Sequence, residues 1–403
     1  MENLAVSTAA SGTARGVGSY QAGRMTFDAW ESTAAKDAAW DDFLESTPLG
    51  HFQQSTSWAR VKAAEGWSCV RVTLCQGGRI QAGFQLLYKR KKFLVLGYIS
   101  KGPTILGLAE NPKLGEWICE QVQRVVREYR ISVVISQAPD FDQGTTAGLQ
   151  LVGFTELGLA AIISATLCVP VGSRQPDWRS RVKKSASYEA RRASKSGVTI
   201  REGTEADLPI FFDLMCQTCR RQSTSPNPAS LEALRQLWQG FRDRDQIHLL
   251  MAELGGQPLG ASLCLRFGSR VTLWKKGWNS AHPELNPNVL LTLKGIEWTE
   301  RAGCDLHDFV ATDLGIARSL LANRPLTEEQ RASRHYFFLR FGGTPFVLPP
   351  SLIYFRNPLL RAVYPWLRPW IARLEQWRIN RARRQRPASA PKPDEEPQSG
   401  RED

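Results

Sequence analysis

Asn111 to Ile135 reads NPKLGEWICEQVQRVVREYRISVVI, and its two halves follow different periods. Asn111-Pro112 has the form of a helix start, with asparagine as cap and proline at a position that needs no amide donor. Behind it Leu114, Ile118, Val122, Val125 and Tyr129 recur at three- and four-residue steps, which sets them on one helix face. The β-branched run Ile131 to Ile135 follows directly and reads as a buried strand. A helix crossing to a further strand, after hairpin strands, implies a mixed α/β sheet.

Working outward, the same order of elements occurs twice. Before Asn111 lie a helical region over 28–64 and strand-like runs near 70–74, 80–88 and 93–99. After Ile135 come a short helix near 145–152 and one strand from Phe154 to Val169. In the second half Thr204 and Asp207 pattern as a capping box ahead of a helix bearing Leu208, Phe211, Met215 and Cys219. A helix over about 229–242 and strands near 247–254, 258–267 and 270–278 follow. Asn286-Pro287 then opens a helix bearing Leu290, Leu293 and Glu297, 175 residues after the first Asn-Pro (286 against 111). A strand over 306–310, a helix over 327–341 and an extended run over 345–354 complete the copy. That period is too long for a solenoid and fits a duplicated domain.

The expectation is an α/β (α+β) chain with two tandem domains, 24–172 and 198–356, whose mixed sheets are flanked by helices. A basic linker helix (173–197) joins them, and a C-terminal amphipathic helix (357–380) follows. Residues 1–23 and 381–403 read as disordered tails, the second from its Pro, Ser and charged content.

Composition narrows the function classes. A chain of 403 residues has room for two cores, and 42% hydrophobic with 23% charged residues is the balance of a soluble globular protein. A net charge of +13 points to polyanions: nucleic acid, phosphorylated substrates or an anionic membrane surface. Eight cysteines lack the spacing of a disulfide framework. The single CxxC, Cys216 and Cys219, lacks the second ligand pair of a zinc site and reads as two helical thiols. Free thiols, the absence of a signal-peptide pattern and of a membrane-spanning run together predict a cytoplasmic protein.

Three stretches carry candidate chemistry. In Trp40–Lys62, WDDFLESTPLGHFQQSTSWARVK, a polar turn separates two amphipathic segments. A helix there buries Trp58 and Val61 and leaves Lys62 at its edge, placed for a phosphate or carboxylate or simply solvated. Asp177–Lys195, DWRSRVKKSASYEARRASK, holds seven cations against two acids, either a polyanion surface or a solvated linker. Asn357–Trp377, NPLLRAVYPWLRPWIARLEQW, sets Leu360, Val363, Leu367, Trp370, Ile371, Leu374 and Trp377 beside Arg361, Arg368 and Arg373. Tryptophan flanked by arginine suits peripheral membrane contact over 357–377 and equally suits packing on the protein body. For general base work Asp308 stands on a late strand, with His307, Asp313, His51 and His335 as further candidates. Lys275 and Lys276, adjacent on a strand, point to opposite faces, so one reaches a cleft.

In this order, the segments resemble the FemABX family of peptidyltransferases. The matching residues are Pro48-Leu49-Gly50-His51, Gln54-Ser55, Trp58-Ala59-Arg60-Val61-Lys62, Ser100-Lys101-Gly102-Pro103, the run from Arg181 ending in Lys195-Ser196-Gly197-Val198, and Thr218-Cys219-Arg220-Arg221, then Asn288 to Leu291 and Phe341-Gly342-Gly343. The resemblance implies two GNAT-like acyltransferase domains and amide formation on a phosphorylated or lipid-linked envelope precursor, with aminoacyl-tRNA as donor. It implies no bound cofactor, and gives the basic helix 179–195 a tRNA backbone to touch. Residue by residue, Lys62 matches the lysine that meets the precursor's phosphate, and Arg221 falls at an arginine facing the same diphosphate. Trp58 and Lys275 join them as candidate substrate contacts. The family's F-K-x-x-F-G-G reads here Phe337-Phe338-Leu339-Arg340-Phe341-Gly342-Gly343, so Phe338 replaces the implied lysine and Arg340 is the nearest cation. Asp308 and Arg340 are therefore the catalytic candidates. Acyl-CoA is the alternative donor, in an N-acyltransferase of exopolysaccharide or envelope glycan assembly. No glycine-rich pyrophosphate loop supports it, Gln143 to Gly148 being the nearest approach. A third reading is a polyanion-binding protein on a decayed acyltransferase scaffold.

Overall fold

The computed structural model describes residues 14–384 apart from Gly23, 109–110, Gln143, 159–162 and 173–176. Two mixed sheets organise it. The nine-stranded first sheet runs, edge to edge, Ala14–Ala22, Met25–Ser32, Ser68–Gln76, Arg79–Lys91, Leu94–Ser100, Val133–Gln137, Ser351–Phe355 and Thr155–Glu156, with Thr104–Ile105 paired to Arg79–Lys91. The seven-stranded second sheet runs Val198–Gly203, Ile247–Leu254, Gln257–Phe267, Arg270–Trp278, Leu306–Asp308, Ala165–Pro170 and Thr344–Val347.

The Asn111–Ile135 stretch behaves as its periods require. Helix Lys113–Glu128 buries Ile118, Val122 and Val125 and delivers the chain to Val133–Gln137, which pairs in parallel with Leu94–Ser100. The equivalent second unit is helix Pro287–Arg301 feeding Leu306–Asp308, parallel to Arg270–Trp278. The capping expectation differs in detail: neither Asn111 nor Asn286 caps through its side chain. Pro112 itself occupies the first cap, and Asn286 sits at φ 52, a left-handed conformation that asparagine tolerates. The Thr204–Asp207 capping box is present.

Two strands cross the expected domain limits. The single strand expected over Phe154–Val169 is two: Thr155–Glu156 joins the first sheet, and Ala165–Pro170 inserts into the second between Leu306–Asp308 and Thr344–Val347. In return Ser351–Phe355, from the end of the second half, pairs with Val133–Gln137 in the first sheet. Such long-range pairings leave no local periodicity to read. The halves also share a core, in which Trp40, Phe52, Trp58 and Val61 pack with Phe211, Leu214, Leu237 and Phe241.

Other differences are local. Met25–Ser32 is a strand where a helical region was expected, because Phe27, Ala29 and Glu31 alternate inward with period two. Ala14–Ala22 pairs with it, so part of the expected N-terminal tail is sheet; residues 1–13 and 385–403 lie outside the described set. The helix expected over 327–341 is two single turns, Glu328–Arg331 and Tyr336–Leu339. Helix Leu314–Leu321, capped by Asp313, was not anticipated, and the cap accounts for that acid. The last helix runs Pro358–Arg384 with Pro365 and Pro369 inside it.

Candidate functional site

A cleft of about 990 Å³, open mouth included, lies where the two sheets meet. Trp58 and Lys62 reach it from helix Thr56–Ala64, whose first turn is capped by Ser55. The preceding motif residues are structural. The Gln54 side-chain amide donates to the Ser100 and Gln85 carbonyls and accepts from the Gln85 N–H, while the Gln54 backbone carbonyl accepts from the Trp40 indole N–H. This stitching fixes the helix against strands Arg79–Lys91 and Leu94–Ser100. Lys62 Nζ sits 4.9 Å above the Trp58 ring and 2.9 Å from Glu65.

At the cleft's base four charged side chains from strand ends interlock. Lys101 follows Leu94–Ser100 at φ 54, and Asp140 lies just past Val133–Gln137. Arg270 begins its strand and Asp308 ends its own. Arg270 spans the junction: one guanidinium nitrogen lies 2.7 Å from Asp140 Oδ2, while the other arm donates to Asp308 Oδ2. Asp140 is also paired to Lys101. Asp308 Oδ1 accepts from the Val310 N–H at 2.8 Å and from the Thr166 hydroxyl. Burial alone would raise the Asp140 carboxyl, but Lys101 and Arg270 outweigh it and hold the group below the usual carboxylate range. Burial opposes the charge on Arg270 as well, yet Asp308 and Asp140 raise it further above its ordinary value. The quartet is closed on itself, two cations against two anions.

Two cleft groups remain open to a ligand. Burial, with Arg270 adding to it, pushes His51 well below its ordinary pKa, so its ring is neutral. Its Nδ1 accepts the Gln53 N–H at 3.2 Å, which assigns the proton to Nε2. Lys275 stands over the Trp274 ring at 5.0 Å and has no carboxylate partner among the described residues. Burial pushes its pKa down, which marks an ammonium that gains from meeting an anion.

Of the residues singled out in the sequence, Trp58, Lys62, Lys275 and Asp308 converge on this cleft, while Arg221 and Arg340 do not line it. Arg221 donates to the Trp278 carbonyl and to Thr218 Oγ1, with its guanidinium 5.3 Å from the Trp278 ring. Arg340 pairs with Glu189 and Ser185 and so ties the basic helix Lys184–Lys195 to the end of the second half. That helix buries Ala186, Ala190 and Ala193 on the body and keeps Lys184, Arg191 and Lys195 exposed. Phe341-Gly342-Gly343 is a packing motif: Gly342 has φ 75, and a Cβ there would lie 2.6 Å from that of Arg181. Phe338 stacks on Phe309, and Lys276 Nζ lies 5.5 Å from its ring. Lys276 thus faces away from the cleft, opposite Lys275. Burial brings its pKa to about 7, and it donates to the Thr292 hydroxyl at 3.4 Å. His307 is held by the Thr299 hydroxyl and pushed down to about 4 by burial.

Sequence reasoning missed Asp140, Arg270 and Thr166, and cited Lys101 only within a motif. A usable signal existed for one of them. Asp140 lies just past the carboxyl end of a buried β run, where α/β sheets gather function, whereas Arg270 opens its strand after a Gly268-Ser269 turn and carries no such signal.

Two mixed sheets of GNAT type fused across a charged cleft define a tandem acyltransferase fold. A FemAB family model matches residues 36–137, and an acetyltransferase (GNAT) domain model matches 180–315. A lipid II:glycine glycyltransferase of Staphylococcus aureus (strain MRSA252) is 27% identical over 192 residues, 45% of this chain and 45% of that protein. The enzyme of the same description from strain bovine RF122 / ET3-1 matches to the same extent. The alignment therefore spans about half the length of these curated relatives. Among solved structures, FemX superposes with a TM-score of 0.68 at 17% identity, covering 81% of this chain and 98% of that one.

Proposed function

We propose that this protein is an acyltransferase that moves an aminoacyl group from tRNA to the amine of a lipid-linked peptidoglycan precursor at the cytoplasmic face of the membrane. In this reading residues 24–172 and 198–356 act as two acyltransferase-like units that exchange strands and hold the acceptor between them. The observation that carries it is the cleft itself: Lys275 with no carboxylate partner among the described residues, Lys62 ion-paired there with the surface residue Glu65, and His51 neutral, all facing one cavity at the seam. The likeness to the lipid II:glycine glycyltransferases supplies the acceptor class.

The chemistry asks little of the protein. An amine attacks the ester carbonyl, a C–N bond forms, the ester C–O bond breaks, and the tRNA terminal hydroxyl departs with the amine's proton. Alignment and stabilisation of the tetrahedral oxyanion supply the rate. Lys275 and Lys62 are assigned to the acceptor's phosphates, and the His51 Nε2–H to a carbonyl or its oxyanion. Asp308 already receives Arg270, Thr166 and Val310 on its two oxygens, so it positions Arg270 rather than serving as a free base. Arg340 and Arg221 are assigned structural work.

Phe338 favours a second reading, transfer from an acyl thioester, because the lysine expected there is missing. Incubating the protein with charged tRNA or acyl-CoA and a precursor pool separates the two. Aminoacylated precursor from tRNA alone supports the proposal; product from acyl-CoA alone replaces it with the thioester reading. No product with either donor favours a binding protein.

A further inference from the structure

A second groove, about 910 Å³ with its open mouth, continues from the cleft past the charged quartet. Asp140 and Leu348 line both, so the groove begins where the cleft ends. Phe141, Phe346, Val347 and the Pro349-Pro350 pair make the rest of it largely apolar. Phe141 and Phe346 meet edge to face at 5.3 Å, and the Arg270 guanidinium stacks on the Phe141 ring at 5.5 Å. No lysine or arginine lines the groove, and its other acid, Asp142, accepts the Gly144 and Thr145 N–H groups. A nucleic-acid backbone therefore finds no cation to meet there.

One wall of this groove is a strand edge. Thr344–Val347 ends the second sheet: it pairs with Ala165–Pro170 on one side and with no described strand on the other. Leu348 donates its N–H to the Ser164 carbonyl. By antiparallel alternation Phe346 then bonds inward to Thr166, while the Val347 N–H and the carbonyls of Pro345 and Val347 point outward. Proline suits that edge, having no N–H to leave bare. Phe346 lies on the same sheet face as its partner Thr166, whose hydroxyl binds Asp308 in the cleft. The Thr146 hydroxyl, also in the groove wall, is buried with no partner among the described residues.

We propose that the free edge of Thr344–Val347 receives, as an added strand, the part of the acceptor's stem peptide that lies beyond the reacting amine. Outward main-chain groups, apolar walls and an idle hydroxyl are what an extended peptide uses when it joins a sheet. The proposal rests on the assignment of the acceptor to the cleft. With phosphates at Lys62 and Lys275 and the amine beside His51, the stem continues past Asp140 and Leu348 into the groove. Val347 supplies the main-chain bonds, and Phe141 and Phe346 shield them from water.

The test is titration of the full chain with a nucleotide-linked muropeptide in two forms, one with its complete stem and one cut after the residue that bears the amine. The parent binds the complete form about ten-fold tighter. Val347→Pro, which removes the outward N–H, weakens the complete form about three- to ten-fold, the worth of one main-chain hydrogen bond, and leaves the cut form unchanged. Val347→Ala keeps that N–H and leaves both forms at the parent's affinity, whereas Phe141→Ala weakens the complete form. Melting curves establish that the variants are folded. If Val347→Pro does not fold, the parent's preference for the complete stem, and its loss in Phe141→Ala, decide the question. Equal affinity of the parent for the two forms overturns the proposal, as does a Val347→Pro loss that the cut form shares. Binding of neither form refutes the acceptor assignment itself, while equal binding of both refutes the stem subsite alone.

Discussion

Replacing Asp140 with asparagine strands Lys101, whose ammonium is buried and has Asp140 as its ion-pair partner. Arg270 keeps Asp308 but loses its tie to the first sheet. Breaking one partner from a buried ion pair costs about 3–5 kcal/mol, since the remaining charge stays desolvated. At about 2–4 °C per kcal/mol for units of this size, the melting temperature falls by roughly 10 °C at pH 7. The pH dependence identifies the cause. The folded Asp140 carboxyl lies below its unfolded value, so its contribution is complete above about pH 5 and fades as pH falls through about 4 toward the folded value. The gap between parent and Asp140→Asn therefore narrows in acid. Adding Lys101→Met to the variant recovers part of the loss by removing the stranded cation. Thermal melts and urea titrations of the three proteins from pH 3 to pH 8 measure this. An unchanged midpoint at pH 7, or a gap that persists undiminished at pH 3, refutes the reasoning.

Three further outcomes follow from other contacts. Lys276→Met raises the melting temperature at neutral pH, because a lysine whose folded pKa is about 7 loses stability on being protonated in the unfolded chain. That gain is full below about pH 7 and vanishes as pH climbs toward the unfolded value near 10.4, which melts at pH 7 and pH 10 resolve. Lys275→Met weakens acceptor binding about tenfold to a hundredfold, the size of a charged hydrogen bond, and leaves the melting temperature in place; titration with the precursor reads it. Arg340→Gln lowers stability by about 1 kcal/mol through its bond to Glu189 and changes transfer less than Lys275→Met does, which a side-by-side rate comparison checks.

The sequence made the local elements legible and left their partners hidden. Helix Lys113–Glu128 and the hairpin strands from Ile247 to Trp278 follow from period and turn residues alone. The exchange of Ala165–Pro170 and Ser351–Phe355 does not, because both are short β runs whose mates lie more than a hundred residues away or in the other half. Within the site, Lys62, Trp58, Lys275 and Asp308 were legible as motif or strand-end residues. Arg221 and Arg340 were chosen for charge and family position, and each proves to be occupied by a neighbour: the Trp278 carbonyl for one and Glu189 for the other. Asp140 had a strand-end position to mark it, but Arg270 stayed hidden because what defines it is its pairing with Asp140, across 130 residues (270 against 140).

The central claim is aminoacyl transfer onto an envelope precursor in the cleft between the sheets. The most direct measurement supplies labelled aminoacyl-tRNA and lipid-linked muropeptide to the purified protein and follows the acceptor's mass. The expected result is an increase of one aminoacyl residue in amide linkage, slowed strongly by Lys275→Met. An acceptor mass that never changes with charged tRNA, or a product that appears equally with Lys275→Met, contradicts it.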